Sequence, residues 1–198
     1  MPVKFQNLFQ SMNGPRDKFL SRLFGIFNEE IVRCWCQDNR APYRNLGRPT
    51  IKPASHLRGL TLDFAFQSKS DNAVYVGEMK CELEYENYRY LTLESPMQLE
   101  HHRKEAFRLF LDIAQNAKQY IVTVGGRPQL VSGSILVWGS YTESGRASVI
   151  AKYRLHDILS LESIIADLLA WENKDFNELL DKYQTWSNEL FTRLRKID

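Results

Sequence analysis

Two apolar runs joined by five polar residues constrain this chain more tightly than any other stretch. Residues 60 to 67 read LTLDFAFQ, residues 73 to 82 read AVYVGEMKCE, and SKSDN lies between them. Leu60, Leu62, Phe64 and Phe66 alternate with Thr61, Asp63 and Ala65, which is the period of a half-buried strand. Ser, Asp and Asn between the runs supply turn chemistry, so 60–81 predicts an antiparallel hairpin. The second strand poses a question. Val74, Val76, Glu78 and Lys80 share one face, so a buried stripe turns charged at its end. Buried charge is costly unless it is paired or bound to a metal. Either the strand emerges into solvent with a Glu–Lys surface pair worth well under about 1 kcal/mol, or a site begins there.

The remaining pattern predicts an α/β domain. Pro15 opens a helix across residues 16–39, with Leu20, Leu23, Phe24, Phe27, Ile31, Cys34 and Trp35 on one face. Residues 39–59, rich in Asn, Pro, Gly and basic side chains, read as a loop with at most a short strand. A helix is predicted over 97–119, with Leu99, Phe107, Phe110, Leu111 and Ala114 towards its apolar side. YIVTV at 120–124 and SILVWGSY at 134–141 read as strands, and GGRPQ at 125–129 as a loop without the spacing or lysine of a nucleotide-binding turn. Residues 155–170 and 174–195 read as two amphipathic helices. Helix, hairpin, helix, strand and helices in this order imply a small mixed sheet flanked by helices, with a core over about 15–141 and a helical C-terminus, in one domain over 1–198.

Composition narrows the setting. The three cysteines, Cys34, Cys36 and Cys81, are odd in number, and the first two are too close for a CxxC knuckle, so a reduced cytoplasmic protein is expected. No apolar run approaches the roughly 18 residues of a membrane span, and MPVKFQNLFQ lacks a signal-peptide core. Neither export nor a membrane partner is expected. The stripe Phe176, Leu179, Leu180, Tyr183, Trp186, Leu190 and Leu194 reads as core packing, with a homodimer interface left open.

The hairpin brings Asp63 and Glu78 to neighbouring strands, fifteen positions apart, and Lys80 to the same sheet end. Two carboxylates offer hard oxygen ligands suited to Mg²⁺ or Mn²⁺. A lysine beside them could act on the attacking water or offset charge developing on a phosphate. Near a strand end, Lys80 could be truncated without opening a core cavity. Upstream, Arg40, Arg44, Arg48, Lys52, Arg58 and Lys69 share residues 39–69 with a single acid, Asp63, and with His56 and Tyr43. Such a basic run beside an acidic site fits backbone-phosphate contact, with Arg44, Arg48 and Arg58 foremost; an ordinary solvated loop is the plain alternative. Downstream, Glu82, Glu84, Glu86 and Glu94 are acidic. His101 and His102 begin a helix and could touch phosphate or metal, but read rather as exposed helix residues.

Asp63 followed by Glu78-Met79-Lys80, with a helix before and a helix after the hairpin, resembles the PD-(D/E)XK nuclease superfamily. The resemblance implies a restriction-endonuclease-like core and a metal-dependent endonuclease hydrolysing DNA, with Mg²⁺, or alternatively Mn²⁺, on Asp63, Glu78 and the carbonyl of Met79. It assigns Lys80 to catalysis and leaves room for a glutamate from the first helix. Helix phase selects Glu30, on the edge of the Leu23–Phe27–Cys34 stripe, over Glu29. Gln98 and Gln115 are followed four positions on by His102 and Gln119, so the Gln-x-x-x-Tyr of RecB-type members is not reproduced. A catalytically inactive domain of the same fold, or an unrelated α/β interaction protein, would carry the same elements without the chemistry.

Overall fold

The computed structural model describes residues 4–53, 58–81, 83 and 88–197. In chain order the elements are α1 (Gly14–Gln37), β1 (Tyr43–Asn45), β2 (Pro49–Pro53), β3 (Leu60–Thr61), β4 (Phe64–Ser68), β5 (Val74–Lys80) and β6 (Thr92–Leu93). There follow α2 (Glu105–Asn116), β7 (Tyr120–Val124), β8 (Arg127–Gln129), β9 (Val131–Trp138), β10 (Ser140–Tyr141) and α3 (Glu143–Tyr153), and then β11 (Asp157–Ser160), α4 (Leu161–Ala170) and α5 (Lys174–Leu194). Helix α1 begins where the sequence places it: the Asn13 side chain accepts from the Arg16 N–H, and Pro15 occupies the first turn, where its missing N–H costs nothing. It ends at Asp38, whose carboxylate is clamped by Arg40 at 2.7 Å and by the Asn173 amide at 2.9 Å.

The central sheet has five strands in the order β1-β4-β5-β9-β11. Strands β1, β4 and β5 are antiparallel neighbours, whereas β9 runs parallel to β5 and β11 parallel to β9, so the sheet is mixed. The parallel step from β5 to β9 needs a crossover, and α2 lies within it, packed on both strands. A second sheet, β3-β2-β7-β8, is antiparallel throughout. Gly125 and Gly126, at φ 55° and 76°, turn β7 into β8, as a tight hairpin requires. Strands β6 and β10 form a short parallel pair.

Each face of the central sheet has its own core. On one, Phe64, Phe66, Tyr75, Met79, Ile135 and Val137 meet α1, α4 and α5 through Ile31, Val32, Trp35, Leu168 and Phe176. On the other, Val74, Val76, Leu136 and Trp138 meet α2 and the second sheet through Phe107, Phe110, Ile113, Ile51 and Leu62. Alternation along β5 therefore sends its odd residues to α1 and its even ones to α2.

Several expected elements are corrected. The single strand over 60–67 is two: β3 belongs to the second sheet and β4 to the first, with a bend at Leu62 and Asp63. Leu62 accordingly enters the α2-side core, and Phe64 and Phe66 the α1-side core, so the four apolar residues do not share a face. The helix over 97–119 starts only at Glu105, because a 3-10 turn over Pro96–Leu99 and an extended Lys104 precede it. Residues 39–59 hold two strands, and the expected helix over 155–170 is β11 followed by α4; α3 had no counterpart. The mixed α/β class, the hairpin and the long C-terminal helix agree with expectation. Among the described residues, no helix is long and apolar enough to cross a membrane.

Candidate active site

The bend between β3 and β4 positions the first carboxylate. The Leu62 N–H donates to the Pro49 carbonyl at 3.0 Å, tying the bend to the second sheet, and Phe64 then pairs with Gly77 in the central one. That register, continued by one residue, sets Asp63 opposite Glu78. Oδ2 of Asp63 accepts from the Met79 backbone N–H at 2.9 Å, and Oδ1 faces the Arg48 guanidinium at 3.3 Å. The carboxylate thus caps the end of the β4–β5 ladder.

Glu78 and Lys80 answer the question raised by their strand: they are paired. Lys80 Nζ lies 2.5 Å from Glu78 Oε1, donates to the Met79 carbonyl at 3.2 Å, and sits 5.3 Å from the Phe107 ring centroid on α2. Glu78 is 7% exposed. Burial pushes its carboxyl above the ordinary glutamate range; Lys80 opposes the shift, and Asp63 adds to it. The strand end does not emerge into water, and a loose surface ion pair is not what forms. Two carboxylates and two cations, from Asp63, Glu78, Arg48 and Lys80, meet at one end of the sheet.

The neighbourhood includes His102, which the sequence reads as an exposed helix residue. His102 lies off the helix, half-buried, 3.8 Å from the His101 ring, 4.9 Å from Phe107 and 6.1 Å from Trp138 between ring centroids. Burial drives its imidazole down to about 3, with His101 and Lys80 acting in the same direction, so it is neutral at pH 7. Its position ahead of the first turn of α2, next to a second histidine, was the available signal. Gln98 braces this turn: its carbonyl accepts from the Glu94 and Ser95 N–H groups, and its amide donates to the Arg89 and Thr92 carbonyls.

Glu30 is placed elsewhere. Its Oε1 accepts from the Tyr183 hydroxyl on α5 at 2.6 Å, and Glu29 pairs with Arg33 at 2.7 Å. Helix α1 packs on the Met79 face of the sheet, while Glu78 and Lys80 point to the α2 face. The phase that sets Glu30 beside the apolar stripe aims it at a neighbouring helix rather than at the carboxylate pair. We expect Glu30→Gln to leave any metal-dependent cleavage within about twofold of wild type and to lower the melting temperature slightly, as Tyr183→Phe should; a loss of tenfold or more, about 1.4 kcal/mol of transition-state stabilisation, would return Glu30 to the site.

The basic run also disperses. Arg40 is committed to Asp38 and lies over Trp171, Lys69 donates to the Asp38 carbonyl at 2.6 Å, and Arg48 serves Asp63. Arg44 and Arg58 are exposed. His56, Glu82, Glu84 and Glu86 lie outside the described residues. Among the described residues, no group of three or more His, Cys, Asp and Glu side chains gathers as a metal cage would. The oxygen donors that do gather are Asp63, Glu78 and the Met79 carbonyl. One or two carboxylates, completed by water and substrate phosphate, are what Mg²⁺ takes, so this donor set fits such an ion in kind. No family model, no curated protein and no solved structure matches the chain.

Proposed function

We propose that the protein is a metal-dependent nuclease that hydrolyses DNA phosphodiester bonds at the Asp63–Glu78–Lys80 cluster. One observation carries the reading: a partly buried aspartate lies opposite a buried glutamate across the β4–β5 ladder, with a lysine bonded to that glutamate and sharing its face. Buried charge has to be paired or to hold a ligand, and a carboxyl shifted by burial beside charged partners marks a functional-site candidate, although structural ion pairs produce the same shift. The order α1, β4–β5 hairpin, α2, β9 supports the resemblance to the PD-(D/E)XK nucleases, and the restriction-endonuclease-like core belongs to this proposal.

Asp63, Glu78 and the Met79 carbonyl would hold Mg²⁺ or Mn²⁺, which supplies Lewis acidity towards the phosphate and a more acidic bound water. The chain's own groups do the rest. Met79 N–H fixes the Asp63 carboxylate, and the Lys80 ammonium lies over the Phe107 ring. Lys80 Nζ, one hydrogen bond from Glu78, is placed to donate to the attacking water or to a phosphate oxygen as negative charge grows there. The water oxygen forms the new P–O bond as the P–O bond to the leaving oxygen breaks; the water gives up a proton to solvent, and the leaving oxygen takes one up from solvent, so the products are a phosphomonoester end and a hydroxyl end.

Binding can be read without turnover. Because only the native state assembles the donors, Mg²⁺ at a hundredfold its Kd should add about 2.7 kcal/mol to stability. We expect millimolar Mg²⁺ to raise the melting temperature of wild type and not that of Asp63→Asn/Glu78→Gln. No shift in wild type would favour an inactive domain of this fold or an unrelated interaction protein.

A further inference from the structure

Arg33, Cys36, Gln37, Asn39, Arg44, Asn45 and Lys69 enclose a hollow of about 300 Å³ between the end of α1, the edge strand β1 and the β4–β5 turn. Its lining holds three cations and three amides and no carboxylate. We propose that this hollow seats a phosphate group, and, on the nuclease reading above, a backbone phosphate of the DNA strand being cut.

The donors are only partly spent. Arg33 gives one guanidinium nitrogen to Glu29, and Lys69 gives one N–H to the Asp38 carbonyl. The Asn45 side-chain carbonyl is used by the Gly47 N–H, which leaves the amide nitrogen as its donor towards a ligand. Arg44 is exposed and, among the described residues, pairs with no carboxylate. Of the acids beside the hollow, Glu29 holds one nitrogen of Arg33, and the Asp38 carboxylate is engaged by Arg40 and Asn173. Burial first, and the charge of Arg44 with it, depress the Lys69 ammonium, a repulsion that an anion between the two would relieve. The floor is uncharged, because burial pushes the Cys36 thiol up to about 12. Guanidinium groups and a lysine around a neutral floor match the tetrahedral oxygens of a phosphate.

The position links the hollow to the proposed active site. Arg44 and Arg48 lie on one edge segment, held to β4 through Leu46 N–H to the Ala65 carbonyl and Ala65 N–H to the Gly47 carbonyl. Four residues span at most about 14 Å, a distance that a few nucleotides cover. A strand lying along this edge would place one phosphate in the hollow and present a neighbouring one to Arg48 and Asp63.

The test uses inorganic phosphate, followed by thermal melting, and fluorescent single-stranded and duplex DNA, followed by anisotropy without divalent metal over a range of salt. We expect both probes to bind wild type. Arg44→Gln, which breaks no pair, should remove the response to phosphate and reduce the salt slope for DNA by about 0.9 per lost contact; Arg33→Gln/Arg44→Gln should reduce it further, and Arg195→Gln, at the far end of α5, should match wild type. Stabilisation by phosphate that Arg44→Gln abolishes, without DNA binding, would assign the hollow to a small phosphate ligand. Unchanged DNA and phosphate binding in Arg44→Gln, or equal weakening by Arg195→Gln, overturns the site. The two proposals fail separately: cleavage lost in Lys80→Ala with normal binding by Arg44→Gln removes only the hollow, and binding lost in Arg44→Gln without any metal-dependent cleavage removes only the nuclease.

Discussion

Lys80→Ala should lower single-turnover DNA cleavage by at least about a hundredfold, the low end of what a positioned proton-transfer group contributes, and should also reduce stability. The sequence alone implies an unaltered fold, since a lysine near a strand end leaves no cavity. The structure changes that expectation. The Lys80 side chain is 16% exposed and bonded to a glutamate side chain at 9%, so truncation leaves a buried carboxylate without its cation. An orphaned buried group costs about 1–3 kcal/mol, offset in part by protonation of Glu78, whose carboxyl burial already pushes upward. A protein of this size should lose a few degrees in Tm. The double variant Glu78→Gln/Lys80→Met, which removes both charges, should recover much of the melting temperature and none of the cleavage. A Lys80→Ala enzyme that cuts at the wild-type rate would remove Lys80 from the chemistry.

Gly77→Ala should be the most damaging small substitution near the site. A Cβ at this position would lie 2.4 Å from Phe66 Cε2 and 2.9 Å from Phe64 Cβ, distances that atoms do not adopt. Phe64 and Phe66 are stacked at 5.2 Å and fully buried, so neither ring has room to retreat. Overpacking of this kind costs about 1–3 kcal/mol. The strain falls on the residue paired with Phe64 and adjoining Glu78, so the carboxylate would move with the backbone. We expect a lower Tm by thermal melting and, at a temperature where the variant is folded, weaker stabilisation by Mg²⁺ than in wild type. Melting indistinguishable from wild type would show that β5 shifts freely against β4.

What the sequence revealed depended on local signals. The hairpin was legible because alternation, turn residues and a second apolar run agreed, and α1 and α5 were legible from periodicity over many turns. Asp63, Glu78 and Lys80 could be grouped because strand alternation and hairpin geometry are local rules. The bend at Leu62–Asp63 was not legible, since alternation continues through it unbroken; tertiary pairing of Leu60 and Thr61 with β2 splits the strand. Short elements such as β11 carry too few residues to distinguish a buried strand from a helix end. Glu30 shows the limit of helix phase: it identifies a residue at the margin of the apolar stripe, but α5 supplies the neighbour there, and nothing local to α1 encodes that. Arg48 pairs with Asp63, fifteen positions on, through chain reversals that no pattern local to either residue encodes.

The most direct measurement is single-turnover cleavage of end-labelled single-stranded, duplex and branched DNA by wild type and Asp63→Asn, with and without millimolar Mg²⁺ or Mn²⁺. The substituted side chain would keep an oxygen for the Met79 N–H but lose the charge, so Asp63→Asn separates folding from metal binding. The account predicts cleavage by wild type only when the ion is present, and at least about a hundredfold less by Asp63→Asn, with DNA binding retained. Absence of cleavage by wild type on all three substrates, or equal rates for the two proteins, would contradict it.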